Sequence, residues 1–180
     1  MGNNYMKINL KKIIYDELLL KELEFFKQFN IYKTIDCKEY LYKKRIFRNN
    51  SYIFKERLKL VKVEGTNPII NINHVKIIDT IEGTSIEGQH LTGKKLIIIG
   101  EINCSLVCLY ENCNLNEYKV KSICLPFSTF IIIPKDICNL EVVNLRYIIE
   151  DVTIANLEED KIIVSITPLI QYIDEYINIS

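Results

Sequence analysis

The stretch GTSIEGQHLTGKKLIIIGE, residues 83–101, holds four of the six glycines of the chain and an unbroken apolar run. Such a stretch is either a phosphate-binding loop or a turn between strands. A Walker loop requires Gly, four residues, and then Gly-Lys-Ser/Thr at the start of a helix. Gly88 and Gly93 have that spacing, but Lys95 replaces the Ser or Thr that would hold magnesium, and a strand-like run follows instead of a helix that could receive phosphate. The sequence therefore predicts a strand, a turn and a second strand.

Similar strand-like segments recur through most of the chain. They are rich in Ile, Val, Tyr and Thr, and most are bounded by Gly, Pro, Asn or Asp, which is typical of strands separated by turns. They span residues 52–63, 69–78, 94–110, 117–125, 128–134, 141–156 and 160–173. Seven or more short strands without helices between them predict a mainly β fold, an antiparallel β-sandwich or barrel-like domain.

The N-terminal region has a different pattern. In residues 9–29, Ile14, Leu18, Phe25 and Phe29 lie on one stripe of a helical projection, which predicts an amphipathic helix. This helix would either cap its own domain or dock on a partner. We therefore divide the chain into a helical, basic arm (residues 1–50) and a β-domain (residues 51–177).

Charge is unevenly distributed along the 180 residues, although the net charge is zero. Residues 1–60 carry 14 Lys/Arg against 7 Asp/Glu, and residues 61–180 carry 9 against 16. Residues 42–62 hold eight Lys/Arg and one acid, interleaved with aromatic side chains, whereas residues 141–180 hold eight acids and two bases. The candidate interaction residues are Lys43, Lys44, Arg45, Arg48, Lys55 and Arg57.

Two partners fit this basic segment. Basic residues beside aromatic rings can bind single-stranded nucleic acid, or an anionic wall polymer, through phosphate contacts and stacking. Alternatively, the segment matches the acidic body of another copy of the protein. We favour the second interpretation, which makes nucleic acid an unlikely partner and the protein itself the expected one.

The six cysteines leave three alternatives open. Free or core thiols come first, with Cys124 and Cys138 expected to be buried. An intermolecular disulfide comes second, with Cys113, Cys104 and Cys108 as candidates. A metal site comes third, because the spacing lacks the paired CxxC knuckles of common zinc sites.

No catalytic constellation is evident. The only histidines, His74 and His90, have no third group at a recognisable spacing that would orient a nucleophile pair. We therefore expect a non-enzymatic protein with no cofactor, no metal and no catalytic residue. No signal peptide and no apolar run long enough for a membrane span are visible, so synthesis inside the cell and no membrane span are expected.

Two motifs resemble a known family. SIEGQHLTGKKL (residues 85–96) and PFSTFI (residues 126–131) resemble, in the same order, segments of the SPOCS-domain family of spore-forming, mostly clostridial bacteria. The similarity covers residues 78–167, half of the chain. In the two motifs, the fold-signature residues are Gly88, Gly93, Pro126, Phe127 and Phe130: the glycines for turns, the phenylalanines as core anchors, and Pro126 at a strand end together with Pro134.

The resemblance implies a function and a location. Family members build the spore envelope as coat or exosporium morphogenetic proteins and act through protein–protein contacts. The resemblance therefore implies a structural protein of the coat, exosporium or spore surface layer that self-assembles or docks on another envelope protein. It would be made in the cytoplasm of the mother cell and deposited on the spore envelope.

Overall fold

The computed structural model describes residues 6–7, 25–48, 50–65, 68–86, 88–112, 115–138, 140 and 143–173. This part of the chain is mainly β, contains no helix, and pairs its strands antiparallel throughout, which confirms the predicted class. The strands are β1 (Met6–Lys7), β2 (Phe26–Gln28), β3 (Ile31–Asp36), β4 (Tyr40–Phe47), β5 (Asn50–Arg57), β6 (Lys59–Gly65), β7 (Ile69–Thr84), β8 (His90–Asn112), β9 (Leu115–Ile132), β10 (Asn144–Glu158) and β11 (Lys161–Ile173).

Sheet 1 is built around β8, which is 23 residues long. One edge of β8 pairs with β9 from Lys95↔Ile132 to Asn112↔Leu115. The other edge pairs with β7 along its first half and with β6 along its second half. Since β8 has neighbours on both sides, it forms the centre of this sheet.

Sheet 2 is built around β11. It pairs with β10 on one side and with β2 and β3 on the other, while β1 pairs with β10. Along β11, Ile162, Val164 and Ile166 alternate with less buried residues and are fully buried. One hydrophobic cluster joins these side chains to Leu96, Ile98 and other buried residues of sheet 1.

The glycine-rich stretch is a strand, a turn and a strand, as predicted. Between β7 and β8, the Gly88 amide donates to the Ser85 carbonyl at 2.9 Å, and the Ser85 amide donates to the Gln89 carbonyl at 2.8 Å. Gly88 has a φ of +83° and Gly93 a φ of +90°, a region that favours glycine. Gly93 lies where the register shifts between Asp79 and Glu82, so it accompanies a β-bulge.

The predicted helix over residues 9–29 is wrong at its C-terminal end, and residues 9–24 lie outside the described part. Residues 26–28 form β2 and pair with Leu169–Gln171 of β11. The pattern misled because a spacing of four residues places side chains on one face of a helix and also on one face of a strand. Phe25 and Phe29 have that spacing, and they pack on Tyr172 and Phe127 with ring centroids 6.2 and 5.3 Å apart.

The predicted strands 117–125 and 128–134 form one continuous strand, β9. Pro126 was expected to end a strand, but it lies exposed in the interior of β9, opposite Glu101. Among the described residues β9 pairs only with β8. A proline, which has no N–H, is tolerated on such an edge strand.

Gly100 lies in β8, where Asn71 of β7 and Phe127 of β9 approach it closely. A Cβ there would lie 2.7 Å from Cζ of Phe127 and closer still to the carbonyl oxygen of Asn71. We expect Gly100→Ala to lower the free energy of unfolding by about 1–3 kcal/mol, because both neighbours are held in strands. Urea denaturation measures this, with Ser128→Ala, an exposed change in β9, as the control. An unchanged midpoint for Gly100→Ala would contradict the close approach.

Candidate interaction surface

Strands β4 and β5 form a two-stranded hairpin that is separate from both sheets. It pairs from Tyr40↔Arg57 to Phe47↔Asn50, and neither strand pairs with any other described strand. The turn contains Arg48, whose φ of 48° is unusual for a residue other than glycine. The predicted domain boundary between residues 50 and 51 falls inside this hairpin.

The hairpin exposes large apolar side chains on both faces. Residues paired directly opposite each other share a face. The first face therefore carries Tyr42, Ile46 and Ile53, and the second face carries three aromatic rings. Six large hydrophobic side chains of the hairpin are exposed: Tyr42, Ile46, Phe47, Tyr52, Ile53 and Phe54.

Five of the six predicted basic residues have partners within the chain. Lys43 forms an ion pair with Glu56, and Arg57 pairs with Asp160 and, at 3.3 Å, with Glu159. The other three cations lie over aromatic rings: Arg45 over Phe54 and Arg48 over Phe47, each at 5.6 Å, and Lys55 over Tyr40 at 3.8 Å. Lys44 makes neither an ion pair nor a ring contact with the residues that the structure describes. The pair of Lys43 with Glu56 and the three ring contacts join side chains within the hairpin.

The base of the hairpin is fixed to the body. Arg57 reaches the buried side chain of Asp160 in the turn between β10 and β11. Its hydrogen bond to Asp160, followed by the nearby negative charges, raises the pKa of the Arg57 guanidinium above its ordinary value. The Leu58 amide also donates to the Glu39 carbonyl at 3.0 Å. The hairpin thus projects from a defined base.

The hairpin and the remainder of the chain have opposite charge. Residues 40–57 contain six Lys/Arg and one Glu, a net charge of +5. Because the whole chain is neutral, the other residues sum to −5. Six of the eight bases of the predicted basic segment (residues 42–62) lie in the hairpin, whereas Lys59 and Lys62 lie in β6 of sheet 1.

The cysteines depart from the predictions in two places. The five described cysteines are free thiols, but Cys138 is exposed and Cys124 half-buried, where both were expected to be buried. Cys104 and Cys108 share the inner face of β8 and are buried, so an intermolecular disulfide through either one would require β8 to open locally. Cys113 lies outside the described residues.

The two predicted phenylalanine anchors have different environments. Phe127 is buried against Phe29. Phe130 has the opposite parity in β9 and is only half-buried, with the ammonium groups of Lys27 and Lys95 at 5.5 and 4.4 Å from its ring centre. Only Phe127 is therefore a core anchor.

Neither a metal centre nor a membrane helix is visible in the described ranges. No group of three or more His, Cys, Asp or Glu side chains there could hold a metal ion, and no helix there has the length and apolarity to cross a membrane. A cleft of about 400 Å³ lies over β8 and β9. It is lined by Ile69, Asn103, Cys104, Ser105, Ser122, Ile123 and Cys124.

Comparison of the chain with protein-family models, with curated proteins and with solved structures gave no match. The resemblance to the SPOCS-domain family thus stays a prediction from the two motifs.

Proposed function

We propose that the protein is a non-enzymatic structural or assembly protein that docks through the β4–β5 hairpin on the acidic body of another copy. The observation that carries this proposal is the exposure of six large hydrophobic side chains on an element that pairs with neither sheet. An isolated two-stranded hairpin is marginally stable in water. A partner surface would cover the apolar side chains and supply the missing packing.

The free energy gained by burying apolar side chains of the hairpin is comparable to the free-energy cost of association. Burying one large apolar side chain contributes about 1.5–3 kcal/mol. The three on one face of the hairpin can together contribute about 4.5–9 kcal/mol, which lies within the range of about 4–15 kcal/mol that the loss of translational and rotational freedom costs. The opposite charges of hairpin and body add attraction and orient the encounter.

The two sheets pack on each other as an antiparallel β-sandwich, which forms the body. Along one side, contacts between the two sheets close the sandwich as in a barrel. Supporting contacts join β9 to the strands at the near edge of sheet 2. Phe29 packs on Phe127, and Lys33 Nζ donates to the Cys124 carbonyl at 3.1 Å. Lys121 Nζ also approaches the Asp36 carbonyl at 3.4 Å.

The spore envelope is the setting that the two motifs support. There the protein would build the coat, exosporium or spore surface layer after synthesis in the mother cell. Its partner would be itself, as a homo-oligomer or filament, or another envelope protein.

The alternative is a module that binds nucleic acid or an anionic wall polymer. The exposed rings of Tyr42 and Tyr52 beside basic residues favour it, since rings and cations together bind single strands. The cations over Tyr40, Phe47 and Phe54 oppose it, because they occupy ring faces on which bases would stack.

Charge reversal separates the two functions. We expect Lys44→Glu with Arg45→Glu to weaken self-association about tenfold, because these two changes lower the net charge of the hairpin from +5 to +1 and so weaken its attraction for the acidic body. We also expect association of the wild-type protein to weaken as the screening length falls from about 10 Å at 0.1 M salt to about 3 Å at 1 M. Sedimentation equilibrium measures both effects.

The control is Lys76→Glu with Arg146→Glu, the same change of charge at exposed positions of β7 and β10. An equal loss in this control would contradict docking through the hairpin. If the hairpin variant still self-associates but no longer binds a fluorescent single-stranded oligonucleotide, the alternative function is correct.

A further inference from the structure

Two buried thiols meet below the hairpin. Cys37 lies in the connection between β3 and β4, and Cys108 lies in the central strand β8. Both residues are fully buried, and their side chains are hydrogen-bonded to each other. The sequence separates them by 71 positions, and the spacing of the cysteines gave no sign of the pair.

The backbone of Cys37 is held on both sides. Its amide donates to the Asp160 carbonyl at 2.7 Å, and its carbonyl accepts a hydrogen bond from the Tyr110 hydroxyl at 2.8 Å. Tyr110 follows Cys108 by two residues in β8 and therefore lies on the same face. These contacts fix the backbone of Cys37 beside the face of β8 that carries Cys108.

A polar cover separates the pair from solvent. Lys121 Nζ lies 2.9 Å from Oε1 of Glu39, and each side chain is about a quarter exposed. The hydrogen bond from Cys37 is the largest cause that holds the pKa of Cys108 below its ordinary value, and the positive charge of Lys121 acts in the same direction. That hydrogen bond, followed by burial, raises the pKa of Cys37. The pKa of Cys108 is therefore lower than that of Cys37, and Cys108 is the thiol of the pair that ionises first.

We propose that Cys37 and Cys108 are an oxidative modification site, at which a peroxide converts the dithiol into an internal disulfide. The Cys108 thiolate attacks one peroxide oxygen; the S–O bond forms, the O–O bond breaks, and hydroxide leaves and takes up a proton. Sγ of Cys37 then attacks the sulfenic sulfur, the S–S bond forms, and the second oxygen leaves as water with the proton of Cys37. Two thiols and one hydrogen peroxide give one disulfide and two waters.

The disulfide would join the connection at the base of the hairpin to sheet 1. Cys104 provides the contrast, because it lies on the same face of β8 and is buried, but burial alone raises its pKa. The site goes beyond the proposed function and does not depend on it, since it is tested by chemistry within one chain.

The test uses the full chain with Cys104→Ser and Cys113→Ser. Trypsin cleaves after Lys and Arg, so the peptide of residues 96–119 then contains Cys108 as its single cysteine, and residues 34–38 contain Cys37. After treatment with hydrogen peroxide and N-ethylmaleimide, digestion without reductant should release these two peptides joined. We also expect the melting temperature to rise by about 10 °C on oxidation.

The matched control carries Cys108→Ser and Cys113→Ser, which leaves Cys104 as the single cysteine of the same peptide. We expect no joined peptide from this control, and none after Cys37→Ser. Absence of the joined peptide from the oxidised test protein, or an equal yield from the control, would overturn the proposal. The melting temperature before oxidation shows that each variant is folded.

Discussion

We expect the double substitution Ile46→Asp with Ile53→Asp to weaken self-association about 100-fold or more. Both side chains lie on the first face of the hairpin and are diagonal neighbours, since Ile46 pairs with Ser51 and Ile53 with Lys44. Burial of each would contribute at least about 1.5 kcal/mol to association, and the two together correspond to about two orders of magnitude. Asp also places a desolvated carboxylate in the interface.

The folded chain should tolerate this change. Ile46 is 74% and Ile53 73% exposed, so neither contributes much to the core. Exposed substitutions usually change the free energy of unfolding by no more than about 0.5 kcal/mol. Sedimentation equilibrium measures association, and thermal unfolding of the dilute protein shows that the fold persists.

The matched control is Ile69→Asp with Ile81→Asp in β7. These isoleucines are 64% and 83% exposed but lie in sheet 1, away from the hairpin. We expect this variant to associate like the wild type. Equal weakening in both variants would show that the hairpin is not the docking element.

Phe127→Ala should destabilise the fold most strongly, by about 3–5 kcal/mol. Phe127 is 6% exposed, packs on Phe29 and covers the space above Gly100. Its removal leaves a cavity between the edges of the two sheets that the neighbouring strands cannot fill. Urea denaturation should show a lower midpoint with little change in slope.

Phe130→Ala is the control for this prediction. Phe130 is half-buried and lies between two lysine ammonium groups, so its truncation loses less apolar contact and one set of cation–π contacts. We expect less than half of the loss found for Phe127→Ala. Equal losses would mean that both rings anchor the core, as the motif alone suggested.

Local pattern was enough to predict the fold class. The alternation of apolar residues follows from short-range physics, and the prediction of a mainly β, antiparallel chain is confirmed. Gly88 lies in the turn before β8, whereas Gly93, which was also expected in a turn, lies within β8 at a bulge. The end of the predicted helix failed because Phe25 and Phe29 have a spacing that suits helix and strand equally. Pairing with β11, more than 140 residues away, decides the conformation.

The candidate surface was only partly predictable. Composition identified the basic residues, because the clustering of charge is visible in the sequence itself. It could not show that β4 and β5 pair only with each other, since that depends on which strands complete the two sheets. The cysteines show the same contrast between local and long-range structure. The spacing of Cys104 and Cys108 predicts that both lie on one face of a strand, whereas the contact between Cys37 and Cys108 depends on how distant strands pack.

Light scattering coupled to size-exclusion chromatography over a range of protein concentrations tests the central claim most directly. The chain has a mass of 21.1 kDa. Assembly through the hairpin predicts a mass that rises above this value with concentration and falls back towards it in high salt. A mass that stays at the monomer value at every concentration and in low salt would contradict self-assembly.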